Sequence, residues 1–236
     1  MRSFSPLQRK VGRGALFAAL VTLIGGAYAS WRPPLAMLGL RHVEHLGEQP
    51  EISLTFDDAP HPMTTPLLLA ALKRAGAKGT FFIIGDGARF YPEITRRIVQ
   101  NGHALANHSH HHRNLTRIQT GEITDEVEPC FDTIRAAASG SPSSATSLFR
   151  PPGGGLNWPA IETLYQSKRT LAWWSLNTGD WQCPPAWRIV ETVKAKMRPG
   201  DIVLLHDGGL GTPQAIPAIV RYAHTRGYQV VPMPEE

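Results

Sequence analysis

From Glu51 onward the sequence alternates short β-prone runs with helix-forming stretches, and this alternation constrains the fold more tightly than any other feature. Runs at 51–56, 79–84, 103–107, 147–149, 170–176, 201–205 and 228–232 are rich in β-branched and aromatic residues. The stretches between them carry helix start and stop signals. Thr64-Thr65-Pro66 opens one, with Thr64 as the capping residue, and Gly76 closes it. Tyr91-Pro92-Glu93 opens another that ends at Gly102. Further helices are predicted over 122–138, 158–168, 187–197 and 212–226, with Pro129 bending or splitting the first of them. Residues 139–147 read as a surface loop. The pattern predicts an α/β fold with a mainly parallel sheet and helices outside it. A chain of 236 residues suits one sizeable domain.

An open sheet and a closed barrel both satisfy this pattern. The placement of the polar residues favours a distorted, TIM-barrel-like (β/α) barrel. Asp57-Asp58, the run His108 to His112, Arg150, Asp180-Trp181 and His206-Asp207 each come just after a predicted strand. Barrel enzymes build their active sites from the loops at the C-terminal ends of the strands.

The residue types suit hydrolysis assisted by a metal. Adjacent side chains at a strand end point in different directions, so one of Asp57 and Asp58 can bind a cation while the other accepts a proton. A solvated turn is the alternative. His108 and His112 stand four residues apart, the spacing of one helical face, and can chelate one ion. His108 with His111 is also usable, and a surface histidine tract is the competing reading. Imidazoles with one carboxylate suit zinc and leave positions open for water and substrate. In the run from Arg150 to Gly155, proline stiffens the loop and glycine lets backbone N–H groups approach an oxyanion. The arginine can pair with an aspartate. His206 gains weight by completing an acid–base pair with Asp57.

The first 30 residues read as a targeting segment. Arg2, Arg9, Lys10 and Arg13 precede the apolar run 14–26, and Ala27-Tyr28-Ala29 offers a small-x-small cleavage site. Counted to Trp31, the run would serve equally as a retained anchor, so membrane attachment through residues 14–31 is the alternative to cleavage. Either outcome exports the rest of the chain to the periplasm, the cell surface or the medium. Residues 31–50, with Pro33-Pro34, are expected to be a linker to a catalytic domain over 51–236. Of the net charge of +5, those four leading basic residues supply most, and no acid precedes Glu44. The near-neutral body gives no support for nucleic-acid binding. Cys130 and Cys183 are the two cysteines, too few for a cysteine metal site; they are either bridged or two separate thiols.

In combination the polar clusters resemble the polysaccharide deacetylases of carbohydrate esterase family four. That family includes peptidoglycan, chitin and nodulation chitooligosaccharide deacetylases and acetylxylan esterases. The similarity spans about Ile52 to Met233, and five motifs follow in the family's order. Thr55-Phe56-Asp57-Asp58-Ala59-Pro60 resembles the first, and His108-Ser109-His110-His111-His112 the His-Ser-x-x-His second. Arg150-Pro151-Pro152-Gly153-Gly154 resembles the third, Asp180-Trp181 ends the fourth, and Leu204-Leu205-His206 fits the fifth. The resemblance implies removal of N-acetyl groups from an N-acetylated glycan, with Asp58, His108 and His112 as ligands of a divalent metal, zinc by default. It implies Asp57 as general base, His206 as general acid, Arg150 orienting Asp57 and Asp180 tuning His206. Gly153 would supply an oxyanion donor, and Trp181 and Leu204 would line the acetyl pocket. An O-acetyl esterase with the same catalytic set is one alternative, and a glycan-binding relative that has lost catalysis is another. Two positions depart from the family: Ala59 stands where glycine is usual, and Gly153 where an aromatic is usual. Positive φ at Ala59 would cost roughly 1 kcal/mol.

Overall fold

The computed structural model describes residues 40–138 and 145–234. The predicted signal or anchor and the first part of the predicted linker lie outside the described residues, as does most of the predicted 139–147 loop. Among the described residues no helix is long and apolar enough to cross a membrane.

The strands are β1 (His42–Val43), β2 (Glu51–Ala59), β3 (Thr80–Ile83), β4 (Ala104–Asn107), β5 (Ala145–Phe149), β6 (Thr170–Ala172), β7 (Leu176–Asn177), β8 (Ile202–His206) and β9 (Gln229–Val230). The helices are α1 (Thr65–Ala75), α2 (Gly85–Phe90), α3 (Pro92–Gln100), α4 (Thr120–Ala137), α5 (Trp158–Gln166), α6 (Ala186–Lys196) and α7 (Gly211–Thr225). The strands pair in the order β1-β6-β5-β4-β3-β2-β8-β7, with β9 beside β2, and each of these pairings is parallel. The result is a parallel half-barrel sheet with helices around it.

The ends of the sheet explain the departures from the sequence reading. The run 170–176 forms two strands because it serves both ends. β6 pairs with β5 and β1, and β7 pairs with β8. Between them the Trp173 N–H donates to the Val43 carbonyl (2.8 Å) and the Ser175 N–H to the Ile202 carbonyl (3.1 Å). The second half of the predicted linker joins the sheet as β1, and His45 then bridges Asp201 antiparallel, so residues 42–46 are part of the body. The short α2 carries no sequence signal strong enough to predict it, since Gly85 and Gly87 disfavour helix. Pro129 sits within α4 without dividing it. Thr64 precedes α1 but makes no side-chain cap; its hydroxyl bonds Asp207 instead (2.5 Å). Both cysteines are free thiols, Cys130 buried and Cys183 exposed.

Strand alternation sorts side chains between two layers. Leu54, Phe56, Phe81, Ile83, Leu105, Val203 and Leu205 pack outward in one cluster that also holds Leu68 and Leu72 of α1 and Ile216 and Ile219 of α7. Phe82, Ala106, Leu148, Ala172, Ile202 and Met233 form a separate inner cluster. Two residues beyond Ala106, Leu148 and Leu204, the same parity brings His108, Arg150 and His206 to the inner side. Odd positions of β2 deliver Thr55 and Asp57 there as well.

His103, just before β4, is buried against Phe81, with ring centroids 5.3 Å apart, and its Nδ1 accepts the Gly79 N–H at 3.2 Å. Burial, helped by the charge of Lys78, pushes its pKa down to about 4. The unfolded chain takes up a proton near pH 6.5 that the folded chain refuses, so this stability is present above pH 6.5 and lost as pH falls toward 4. The loss is about 3 kcal/mol. Urea midpoints measured between pH 7 and 4 should therefore fall less steeply in His103→Gln than in the parent; parallel curves would show that His103 does not carry this dependence.

Candidate active site

Asp57 and His206 are register partners on the adjacent parallel strands β2 and β8. Both lie at the C-terminal ends of their strands, where the predicted chemistry converges. Asp57 is 4% exposed, so its carboxylate needs a partner. Arg150, at the end of β5 and fully buried, supplies one: its guanidinium donates to Asp57 Oδ1 at 2.7 Å. The same guanidinium donates to Thr55 Oγ1 (2.9 Å) and to the carbonyls of Trp173 (2.8 Å) and Ala172 (3.3 Å). Phe82 stacks beneath it, 3.9 Å from ring centroid to Cζ. Five neighbours thus fix one cation, and that cation fixes Asp57.

The backbone of Arg150 orients the next residue. Its carbonyl accepts from His108 Nδ1 at 2.8 Å. A carbonyl can only accept, so Nδ1 donates to it and Nε2 is the nitrogen turned toward the aspartates. It lies 3.5 Å from Asp58 Oδ1 and 3.8 Å from Asp57 Oδ2. His112 Nε2 lies 3.0 Å from the same Asp58 oxygen. The helical spacing expected for the two histidines is not how they meet. The segment is non-helical, and left-handed backbone at Ser109 (φ 68°) and His112 (φ 55°) folds it back so that the rings stand 5.1 Å apart. Asp57 and Asp58 do not diverge as neighbours on a regular strand would. Asp58 has φ 67°, and the register of β2 against β3 slips between Phe56 and Ala59. The irregularity re-aims the second carboxylate toward His108.

Asp58, His108 and His112 present ligand atoms that all lie within 4.8 Å of one another. Asp58 Oδ1 is buried and makes no hydrogen bond, although two imidazole nitrogens face it. In a tetrahedral site with ligands at 2.0–2.1 Å, donor atoms stand about 3.3 Å apart. The observed 3.0 and 3.5 Å bracket that spacing, so the three residues fit a divalent cation. Burial alone would raise the Asp58 pKa; the two imidazoles reverse this and hold it far below the usual carboxylate range. Asp58 in turn raises the pKa of His112 against the effect of burial.

On the other side of Asp57, His206 Nδ1 meets Asp180 Oδ1 at 2.8 Å, and the His206 backbone N–H donates to Asp180 Oδ2 (2.8 Å). Thr212, at the start of α7, donates to that second oxygen at 2.7 Å. Burial pulls the His206 pKa down, but Asp180 first, and Asp57 and Asp58 after it, raise it above its ordinary value.

Gly153 lies exposed in the loop after Arg150 at φ 62°, a conformation that an aromatic side chain would strain. Trp181 is 60% exposed beside Asp180, and Leu204 is buried on β8. Ala59 is buried and has no positive φ; the left-handed residue is Asp58, so the cost expected at Ala59 does not arise. Asp207 does not face His206. It is buried and accepts from the hydroxyls of Thr64 and Thr65 and from the His61 N–H (3.3 Å), tying the loop after β2 to the loop after β8. The sequence reading does not single out Thr55, Phe82 or Thr212, which support the site. Strand parity is a signal for Thr55 and Phe82, but nothing local marks Thr212.

Replacing Arg150 with leucine leaves Asp57 buried without its charge partner. Such a change costs about 3–5 kcal/mol. Chemical denaturation should show a loss of that size, and a loss below about 1 kcal/mol would mean that Asp57 does not depend on the pair.

Residues 46–170 match the sequence profile of a family described as polysaccharide deacetylase. A chitooligosaccharide deacetylase of Bradyrhizobium sp. (strain ANU 289) is 34% identical over 198 residues, covering 78% of this chain and 89% of that protein. A peptidoglycan-N-acetylglucosamine deacetylase of Bacillus cereus is 30% identical, covering 78% of this chain and 67% of that protein. Among solved structures, the Bc1960 peptidoglycan N-acetylglucosamine deacetylase superposes with a TM-score of 0.81 at 27% identity, covering 86% of this chain and 96% of that one.

Proposed function

The chain belongs to the polysaccharide deacetylase family, and from that premise we propose that it hydrolyses N-acetyl groups from an N-acetylglucosamine-containing polysaccharide of the peptidoglycan or chitin type. One observation carries this reading: Asp57 and His206 stand in register on adjacent strands, beside three side chains that fit one cation. Asp58, His108 and His112 would hold a divalent cation, which we assign as zinc from the two imidazoles and one carboxylate, and which would supply Lewis-acid polarisation of a water and of the acetyl carbonyl.

The protein's own residues do the rest. Arg150 occupies Asp57 Oδ1, leaving Oδ2 to accept the proton of the attacking water. Asp180 holds His206 through Nδ1, which leaves Nε2 to protonate the departing sugar amine. The Gly153 amide is the protein donor we assign to the oxyanion, and one such donor is worth ~3 kcal/mol. Trp181 and Leu204 are the apolar walls we assign to the acetyl methyl. We assign residues 1–30 as a cleaved signal, or residues 14–31 as a retained anchor; either exports the chain to the side of the membrane where cell-wall glycan lies.

Acetate release from N-acetylglucosamine oligomers tests the reading. It should stop with a chelator, return with added zinc, and fall about 100- to 10,000-fold in Asp57→Asn. Release that survives both the chelator and the substitution would refute the proposal. Release from acetylated xylan with none from the N-acetylated oligomers would make the protein an O-acetyl esterase.

The raised His206 pKa keeps the acid protonated above pH 6.5, and the rate falls once that proton is lost. Asp180→Asn removes the main raising influence, so the basic limb of the kcat/KM profile should move to lower pH. An unmoved limb would detach His206 from the acid role.

A further inference from the structure

The histidine run holds two residues that the proposed reaction does not use. His110 and His111 turn away from Asp58 and face Asp86, in the first turn of α2. His110 Nε2 lies 3.9 Å from Asp86 Oδ1, and His111 Nε2 lies 4.0 Å from Asp86 Oδ2. The three ligand atoms all lie within 4.8 Å of one another, a looser grouping than the 3.0 and 3.5 Å contacts around Asp58, and the two clusters share no residue.

The surrounding structure orients these groups. Glu126 of α4 is 1% exposed, and its carboxylate receives the His111 backbone N–H at 2.9 Å and meets His111 Nδ1 at 3.0 Å. A carboxylate that holds one imidazole nitrogen fixes the ring and leaves the other nitrogen for a metal. The Glu126 carbonyl accepts the His110 N–H (2.8 Å), and the His110 carbonyl accepts the Asp86 N–H (2.9 Å). Packing fixes the His110 ring. Its Nδ1 is buried against Gly85 without a hydrogen bond, so Nε2 is the ring nitrogen that faces a polar group. A Cβ on residue 85 would come within 2.2 Å of that Nδ1, so glycine there is what lets the ring take its place. A cation would draw donors 3.9–4.0 Å apart to about 3.3 Å. Arg89 donates to Asp86 Oδ1 at 3.2 Å, but its side chain is 63% exposed and can swing into solvent; Asp86 and His111, 32% and 50% exposed, then have room to make that shift with a coordination position open to water.

We infer that Asp86, His110 and His111 form a second site for a divalent transition metal, separate from the site at Asp58. Bound there, the ion would tie α2 to the loop that carries His108 and His112, with Glu126 anchoring the loop to α4.

Counting metal tests this. Untagged full-length chain, stripped with chelator, is dialysed to equilibrium against micromolar Zn²⁺ and its zinc measured by mass spectrometry. Two equivalents are expected in the parent, one in Asp58→Asn, one in Asp86→Asn and none in the double variant. Zinc should also raise the Tm of Asp58→Asn but not that of the double variant, because an ion that binds only the folded state stabilises it. His111→Gln, at a half-exposed position, repeats the test with α2 untouched, and circular dichroism checks that each variant is folded. A single equivalent in the parent overturns the inference. So does a second equivalent that survives both Asp86→Asn and His111→Gln, the result expected if exposed histidines bind zinc adventitiously.

Discussion

Arg150 is fully buried, and the candidate site is arranged around it. A guanidinium at that depth is tolerable only if its N–H groups find acceptors. Asp57, Thr55 and the carbonyls of Ala172 and Trp173 provide them, and the face of Phe82 supports the plane of the group. The consequence runs in two directions. The side chain holds the proposed base through one carboxylate oxygen, and the backbone carbonyl sets the tautomer of His108. One residue therefore positions both the proposed proton acceptor and a candidate cation ligand. The parallel sheet makes this possible, since β5 and β2, with β4 and β3 between them, contribute to the same inner layer.

The division of labour between the two adjacent aspartates follows from local geometry. A regular strand would send Asp57 and Asp58 to opposite sides, and Asp58 would join the outer apolar layer. The register slip and the left-handed backbone of Asp58 bring it back toward His108 and His112, and Arg150 reserves Asp57. The chain thus obtains two carboxylates of different character from neighbouring positions, one paired with a guanidinium and the other facing imidazoles.

Much of this is legible in the sequence because strand period and polar placement coincide. Residues 51–56, 103–107 and 201–205 read as strands, and the polar residues directly after them mark Asp57, Asp58, His108, His112 and His206 as site candidates. What the sequence hides depends on long-range pairing or on single backbone angles. The split of 170–176 arises because β6 and β7 belong to opposite ends of the sheet, which no local pattern reports. The spacing of His108 and His112 looks helical, yet left-handed residues bring the two rings together in place of a helical turn. Thr64 has the composition of a cap, but Asp207, 143 residues away, claims its hydroxyl. Thr212 reaches Asp180 only after α7 has folded back beside β8, so its part in holding the His206–Asp180 pair is a product of the tertiary structure.

Three side chains from β2 and the loop after β4 are placed to close on one cation, while Asp57, 3.8 Å from His108 Nε2, is held out of the coordination sphere by Arg150. Anomalous diffraction from zinc-loaded crystals, recorded on either side of the zinc edge, measures this directly. The account predicts a peak about 2.0–2.2 Å from one oxygen of Asp58 and from Nε2 of His108 and His112, with Asp57 beyond bonding distance and still paired with Arg150. A peak bonded to Asp57, or no peak between Asp58 and the two histidines, would contradict it.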